Sequence, residues 1–445
     1  MSINQFALQS RINSGTLSRV ISNRQPIAMN HLERITQGMG LQEDYFFSLY
    51  VDECFLHSAP TWRRLRPFLI RSAELGRLDC IEQVVLNLLD NLIYAPMLFE
   101  VAEGLYQQGQ WQAAALLYKN VSASEKYQNS ERLAVCQYRL FRIALGDDQS
   151  INLREAILFE CYIDRLDEAE QLDGIIDLLH VYYSLQHWPK VEELAQKMLR
   201  LATLRYNLQH HSSRKQVNGK MPQRPLYLYI LNAHLFLSSI YMEYGDYKSA
   251  LERVPLYMDG SWIQEDNEEV QKTLTQFREW GTANIYLYRV LDGQMDVLAD
   301  YVEYISTQPD EIFTAVYHII KSANRYEWNV DHILERFSAH IPYRSYRSEF
   351  GEYNQQIMAD KHARFLAELA AYYLHNQRNE GINFILQSLE SSARINNESI
   401  AITCVDLFEQ YRYAAGEDQM ERYKLLIREV RNSNAKKIYQ ASSFM

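Results

Sequence analysis

Hydrophobic residues recur at helical spacing along most of this chain, and few glycines or prolines interrupt them. At the N-terminus the pattern predicts a helix over residues 3–11, a tight turn at 12–15 and a second helix over 16–24. Residues 13–15 have turn and N-cap chemistry, so the second helix should begin near Ser14. The apolar positions expected to pack these two helices together are Phe6, Ala7, Ile12, Leu17, Val20 and Ile21.

A third amphipathic helix should follow Pro26, with Ile27, Leu32, Ile35 and Met39 on one face. Residues 1–40 hold four arginines against one glutamate, a local charge of +3; the whole chain carries −11, so the remainder sums to −14. A basic head on an acidic body is expected if only the head meets a polyanion. The alternative is a small helical cap whose arginines are simply solvated.

The N-terminal segment resembles the helix-turn-helix of the lambda-repressor-like (Xre) family. Residues 6–7 match the family's leucine-alanine pair, residues 12–13 match its turn, and residues 17–20 match its recognition helix. Arg11 stands where the family usually has glycine, Ile21 stands where it often has glutamate, and the family's first helix has no counterpart. A recognition helix presents its N-terminal part to the major groove. The expected DNA-contacting residues are Ser14, Gly15, Thr16, Ser18, Arg19, Asn23 and Arg24.

From residue 41 onward the pattern predicts helix after helix, and several helix pairs share a turn motif. In each copy a helix ends with an aromatic residue or leucine, a glycine or polar residue turns the chain, and a small or branched residue follows in the next helix. The copies lie at residues 73–79, 105–114, 183–191 and 241–250, with weaker ones at 290–295 and 413–418. We align them on Gly76, Gly109, His187 and Gly245.

This motif resembles the tetratricopeptide repeat, whose period is near 34 residues. The resemblance implies a right-handed solenoid with a concave groove lined by the first helix of each pair. The predicted fold is therefore all-α, with a reduced helix-turn-helix domain at 1–55 and a repeat domain at 56–445, interrupted by a polar loop near 207–225. The predicted pairs are 60–92, 94–126, 130–171, 172–208, 225–263, 268–307, 309–345, 351–397 and 399–434. An all-α body of unrelated helices is the alternative.

Several classes of protein are disfavoured. No apolar run reaches the roughly 18 residues of a spanning helix, and the N-terminus lacks the apolar region of a signal peptide. The five cysteines are scattered without metal-ligand spacing, which indicates small core residues in a reducing, cytoplasmic setting. Phosphate-loop, nucleophile-elbow and His-Glu-x-x-His motifs are missing. We therefore expect no enzyme, no cofactor, no metal and no membrane contact.

A DNA-reading head on such a body resembles the RRNPP group of peptide-sensing regulators, and the pattern is nearest to the arbitrium-receptor branch. The resemblance implies a homodimeric transcription factor that binds double-stranded operator DNA and holds a short linear peptide in its groove. The alternative is a helical scaffold that sequesters a protein partner such as a response regulator.

An extended peptide has unpaired backbone groups, so side-chain amides, aromatic walls and a charge should surround it. Aligning the repeats on Gly245 gives a set of candidate peptide-binding residues, accompanied by the apolar positions Val181, Leu235, Met242 and Leu287. These candidates are Gln137, Asp177, Asn232, Ser239, Glu243, Trp280, Tyr373 and Asn376. An apolar stripe in the last helices could form the dimer or could cap the repeats. It consists of Leu407, Phe408, Tyr411, Tyr423, Leu426, Ile427 and Val430.

Overall fold

The chain is all-α in a computed structural model. Helices account for 79% of it, and no strand occurs in the part that the structure describes. Side chains are described throughout that part except at residues 211, 353–358 and 432–442. The described residues are 2–56, 60–88, 92–127, 130–146, 149–211, 220–309, 311–340, 353–395 and 397–442.

Twenty-two α-helices lie within these ranges. The first eleven are α1 (Ile3–Gln9), α2 (Ser14–Ile21), α3 (Met29–Gly38), α4 (Phe47–Leu56), α5 (Trp62–Glu74), α6 (Leu78–Leu88), α7 (Ala95–Gln107), α8 (Trp111–Ser124), α9 (Glu131–Ala144), α10 (Gln149–Glu160) and α11 (Glu168–Ser184). The others are α12 (Trp188–His211), α13 (Leu226–Glu243), α14 (Tyr247–Met258), α15 (Glu268–Leu291), α16 (Leu298–Ser306), α17 (Ile312–Tyr326), α18 (Asp331–Arg336), α19 (Tyr353–His375), α20 (Gly381–Ile395), α21 (Glu398–Gln410) and α22 (Glu417–Ser442).

The chain forms two compact units, Met1–Leu145 with Ser150–Gly174, and Gly146–Gln149 with Ile175–Met445. Within each unit the helices pack in chain order. In the first unit α5 contacts α6 and α7, while α6 contacts α8. In the second unit α17 contacts α19, and α20 contacts α21 and α22. From α5 onward the helix bounds follow the nine predicted pairs closely, although α22 continues to Ser442.

The recurring turn of the sequence is a helix end with one residue in the left-handed conformation, which glycine adopts without steric cost. At Gly245 the amide of Asp246 donates to the carbonyl of Tyr241 at 2.9 Å, and the Gly245 amide donates to the carbonyl of Met242 at 3.0 Å. This pair of bonds is the Schellman motif. Four predicted turn glycines share the left-handed conformation, with φ from 70° to 89°: Gly76, Gly109, Gly245 and Gly293.

From α5 onward, three further helices of the described part end with a left-handed residue that is not glycine. The left-handed residues are Gln186 after α11, Glu327 after α17 and Gln377 after α19, with φ of 59°, 58° and 57°. The alignment on His187 was therefore one residue late. The weak copy around Gly416 is not this turn, because Gly416 lies at the start of α22 and its amide donates to a side chain there.

The first two helices pack through a small cluster. Ala7, Ile12 and Leu17 are buried, and Phe6 and Ile35 pack against them. Ile21, which was expected in this contact, is instead 61% exposed. Asn13 caps α2 by accepting hydrogen bonds from the amides of Gly15 and Thr16 at 2.9 and 3.4 Å. The predicted second helix ran to residue 24, but α2 ends at Ile21 because Asn23 turns left-handed with φ 53°.

The segment around α3 is tied to the helices that follow it. The carbonyl of Ile27 accepts hydrogen bonds from the Tyr50 hydroxyl at 3.1 Å and from Arg64 Nε at 2.9 Å. The guanidinium of Arg71 donates to both carboxylate oxygens of Glu43, at 2.5 and 2.6 Å. One buried core cluster includes residues of α3 and continues to α9. Packing is therefore continuous across residue 55 inside the first unit.

The C-terminal apolar stripe lies inside the second unit. Phe408 stacks on Tyr423 with ring centroids 3.8 Å apart. Its members Leu407, Phe408, Tyr423 and Leu426 are buried, while Tyr411, Ile427 and Val430 pack against the same cluster. The residues of this stripe therefore pack the last helices of the chain against one another. The exposed large apolar residues of α21, α22 and their connection are Ile402, Tyr413 and Leu425.

Two smaller predictions have mixed outcomes. The polar loop was expected from residue 207, but α12 continues to His211 and α13 begins at Leu226. Residues 212–219 of that predicted loop lie outside the described part. Cys161 is exposed, whereas the other four cysteines are buried and free, as expected of small core residues: Cys54, Cys80, Cys136 and Cys404.

Substitutions at glycine should separate the turn positions from ordinary helix positions. A Cβ at Gly245 would meet no atom within 4 Å, so Gly245→Ala adds only backbone strain there. We expect it to lower the free energy of unfolding by about 1 kcal/mol in urea denaturation. Gln377→Gly should act in the opposite direction by a similar amount, because it relieves a left-handed glutamine.

Gly104→Ala is the matched control. Gly104 lies within α7 and also has open space around its Cα. Because alanine favours the helix, this variant should gain roughly 0.5–1 kcal/mol. A Gly245→Ala protein as stable as Gly104→Ala would show that the left-handed turn is not a constraint.

Candidate functional site

Helix α2 and the turn that follows it carry the predicted DNA-contacting residues on the surface of the first unit. Thr16 is half-buried, and its hydroxyl lies 3.3 Å from Arg19 Nη2. Arg19 and Arg24 form no ion pair with any residue that the structure describes, so their charges are available to a ligand. The exposed members of the predicted set are Ser14, Gly15, Ser18, Arg19, Asn23 and Arg24.

A cavity of about 540 Å³ lies in the second unit. This volume falls within the range of about 300–1,000 Å³ found for small-molecule sites. Its walls come from α11, α13, α15, α17 and α19, with the turn after α11 and the start of α12. The lining residues are His180, Tyr183, Ser184, Gln186, Trp188, Ser239, Met242, Glu243, Asn284, Leu287, Tyr288, Phe313, Thr314, Tyr317, His318, Lys321, Asp360, Lys361 and Arg364.

One helical position recurs in this lining. It lies six residues before the left-handed turn residue of its helix, and in α11, α13, α15 and α17 it is occupied by His180, Ser239, Leu287 and Lys321. The left-handed turn marks the end of each helix, and a helix advances about 100° per residue. A position counted back from the turn therefore has a set direction about the helix axis. Four successive first helices of the predicted pairs therefore direct the same position toward one cavity.

Four of the residues predicted from the Gly245 alignment line the cavity. Ser239 and Glu243 do so, and so do the apolar positions Met242 and Leu287. In α11 the late alignment on His187 selected Asp177 and Val181, whereas the correct turn residue leads to His180.

Six of the predicted peptide-binding residues are not among those lining this cavity: Gln137, Asp177, Asn232, Trp280, Tyr373 and Asn376. Asn232 Nδ2 donates to the carbonyl of Leu228 in its own helix at 2.8 Å. Asn376 Nδ2 likewise donates to the carbonyl of Tyr372 at 2.8 Å. Asp177 is half-buried, one turn before His180 in α11.

The other three occupy separate environments. Trp280 packs edge-on against Phe277, with ring centroids 5.1 Å apart. Tyr373 packs against Phe384 at 5.3 Å. Gln137 is half-buried in α9, which belongs to the first unit.

Aromatic side chains form much of the cavity wall. Tyr183 contacts Trp188 and Phe236 edge-on, with ring centroids 5.3 and 5.7 Å apart. The hydroxyl of Tyr288 lies 3.2 Å from that of the buried Ser238, and burial raises the pKa of Tyr288 to about 12. The phenol therefore stays protonated at neutral pH and can offer a hydrogen bond.

Five acidic, lysine or arginine side chains converge on this wall: Lys321, Lys361, Arg364, Glu243 and Asp360. Asp360 Oδ2 accepts from Arg364 Nε at 2.8 Å. Its other oxygen accepts from Asn397 Nδ2 at 2.5 Å, and Asn397 in turn caps α21. Lys321, Lys361 and Glu243 form no ion pair with any described residue. The cavity therefore contains charges that the described protein does not neutralise by direct contact.

The surrounding protein perturbs these groups in the directions expected for removal from water. Burial raises the pKa of Glu243, although the cations Lys321, Arg364 and Lys361 oppose the shift. Burial lowers the pKa of Lys361, opposed by nearby carboxylates. Burial with the two lysines lowers the pKa of His318 to about 3, so this ring is neutral at pH 7. Perturbed groups in a cleft are characteristic of functional sites.

Sequence reasoning missed the basic wall. Lys321, Lys361 and Arg364 are single basic residues in amphipathic helices, and no motif marks them. Lys321 could have been found by extending the turn offset to α17, but its left-handed residue is Glu327, which gives no glycine signal.

An acidic cluster in the first unit is accounted for by contacts within the protein. Oxygens of Glu131, Asp167 and Glu170 lie within 4.8 Å of one another. However, Asp167 caps α11, accepting from the amide of Glu170 at 2.9 Å, and Glu170 pairs with Arg139 at 2.8 Å. These bonds already occupy the carboxylates of Asp167 and Glu170.

The chain matches no known family model and no curated protein. Among the described residues, no helix combines the length and the apolar character needed to cross a bilayer. The surface of α2 and the cavity of the second unit are therefore the features from which a function can be inferred.

The raised pKa of Glu243 predicts a pH-dependent stability effect. Ionisation of this carboxyl is less favourable in the fold than in the unfolded chain, so it lowers stability once the pH exceeds the ordinary value of 4.5. We expect Glu243→Gln to raise Tm at pH 7.5, and the gain to shrink as the pH falls and vanish below about 4.5. Differential scanning fluorimetry across this range measures it.

Glu252→Gln is the control, because Glu252 lies on α14 and does not line the cavity. Its Tm difference should stay flat with pH. The same flat profile for Glu243→Gln would contradict the desolvation of this carboxyl.

Proposed function

We propose that the protein is a DNA-binding transcriptional regulator controlled by a short signalling peptide bound in the cavity of the second unit. One observation carries the proposal. In α11, α13, α15 and α17, the first helices of four successive pairs, the residue six positions before the left-handed turn lines the same cavity. In this proposal α1 and α2 form a reduced Xre-like helix-turn-helix. The helix pairs from α5 onward form a right-handed solenoid of tetratricopeptide-like hairpins, and packing between next-but-one helices supports that arrangement.

The DNA-reading part of the proposal rests on α2. Its polar N-terminal residues are exposed, and Arg19 and Arg24 are accessible beside them. Side chains in this arrangement can reach base edges and phosphates in a major groove. The net negative charge of the remaining chain would keep other surfaces away from the duplex.

The peptide-binding part rests on the chemistry of the cavity. Backbone amides inside helices are already bonded, so side chains must satisfy the amides of an extended ligand. Ser239, Asn284 and Gln186 line the cavity with polar groups, and aromatic rings supply apolar contact. The Ser239 hydroxyl donates to the carbonyl of Leu235 and Asn284 Nδ2 donates to the Tyr257 hydroxyl, so these two side chains would serve a ligand amide as acceptors. This combination of apolar walls with a few polar groups is typical of ligand sites.

One short recognition helix makes few base contacts, so two heads on adjacent half-sites are expected and the regulator should be a homodimer. The peptide would act by binding its cavity more tightly when the two heads are in one arrangement than when they are in another. Its effect is limited by that difference in affinity.

The test is a genomic DNA pull-down with the wild-type protein and with Arg19→Ala/Arg24→Ala, each with and without conditioned medium from the source culture. The wild type should enrich discrete fragments, and the medium should change their recovery. The double variant should lose most of the enrichment, and the salt dependence of its residual binding should fall by roughly one unit for each lost phosphate contact.

Arg200→Ala/Arg428→Ala removes the same charge from exposed positions outside α2 and should recover DNA like the wild type. If neither the α2 substitutions nor the medium alters the recovered fragments, the regulator proposal is wrong. A biological activity that survives the α2 substitutions would favour the scaffold alternative, in which the helical body sequesters a protein partner.

A further inference from the structure

Two lysines from different helices face the cavity without a partner. Lys321 belongs to α17 and Lys361 to α19, and both line the cavity and remain accessible from it. Neither forms an ion pair with a described residue. Both act electrostatically on the same two neighbours, His318 and Glu243, which places their charges in one region of the wall.

The third cation of this wall is held differently. Arg364 donates to Asp360, and Asp360 is also bonded to Asn397. Arg364 is therefore fixed and partly neutralised, whereas the two ammonium groups retain unfilled donor capacity. Each ammonium has three donors, and because both lysines are exposed at the cavity, a ligand that enters it can accept hydrogen bonds from them.

We propose that Lys321 and Lys361 form the subsite for a carboxylate of the bound ligand. The identity of that ligand as a peptide rests on the proposed function, whereas the preference for a carboxylate rests on the wall itself. The carboxylate can come from the C-terminus of a peptide or from an aspartate or glutamate side chain.

Charge balance favours a singly charged group over a phosphate. Three cations line the cavity against two lining carboxylates, Glu243 and Asp360, so the lining itself carries a formal charge of +1, while Glu311 outside the lining also acts on Lys361. A carboxylate restores neutrality, whereas a dianion would add a second negative charge beside the two carboxylates. A bound carboxylate would also offset the desolvation that disfavours the charged form of Lys361.

The test uses three synthetic pools of randomised hexapeptides, incubated with the full chain, separated by ultrafiltration and quantified by mass spectrometry. The first pool has free C-termini and lacks aspartate and glutamate. The second is C-terminally amidated and contains both acids. The third is amidated and lacks them. Retention of the first or second pool, about tenfold or more above the third, identifies the source of the carboxylate.

Variants then assign the binding to the two lysines. Lys321→Gln/Lys361→Gln should lower retention of the preferred pool about tenfold, and Lys321→Arg/Lys361→Arg should recover most of it because the charges remain. Lys248→Gln/Lys272→Gln removes two exposed lysines that do not line the cavity and should behave like the wild type. Thermal unfolding of each variant verifies that it is folded.

The outcomes separate this inference from the proposed function. Equal retention of all three pools, or retention unchanged in the folded Lys321→Gln/Lys361→Gln variant, would overturn the carboxylate subsite while leaving peptide sensing intact. Retention of no pool by the wild type would count against peptide binding itself, and the carboxylate subsite for a peptide would fall with it.

Discussion

A single left-handed residue at the end of a helix controls how this fold presents its cavity. The residue closes the helix, sets where the next one begins, and so fixes the rotation of the preceding helix about its axis. Apolar packing then holds that rotation in place, as at Tyr257 and Phe277 in the second unit. This constraint applies to four of the helices that line the cavity, whereas α19 lines it through residues at other positions, Asp360, Lys361 and Arg364.

The electrostatics of the cavity follow from the same geometry. Helices that converge at a fixed rotation bring Glu243, Lys321 and Lys361 together around one cavity, where partial desolvation makes ionisation less favourable for the acid and for Lys361. Folding alone gains little from such an arrangement, since these charges form no ion pair with a described residue. Its retention is understandable if a ligand supplies the missing charge.

Much of the helical architecture could be predicted from the sequence, because glycines such as Gly109 and Gly245 mark helix ends and the apolar spacing marks helix faces. The rotation of α13 followed from Gly245, which is why Ser239 and Glu243 were found. Prediction failed where a non-glycine residue turns left-handed: Gln186 carries no signal, and a shift of one residue moved the prediction away from His180. The same alignment also selected Asn232, which does not line the cavity and donates its side-chain amide to the carbonyl of Leu228 in its own helix.

The spacing between turn and cavity has a consequence for how such chains can diverge. Substitution at the position six residues before the turn in α11 or α17 changes the cavity surface without repacking the core, since His180 and Lys321 are accessible to solvent. Insertion or deletion of one residue between that position and the turn would rotate the helix face by about 100°. Relatives should therefore vary in side-chain identity at these sites while keeping the segment length unchanged.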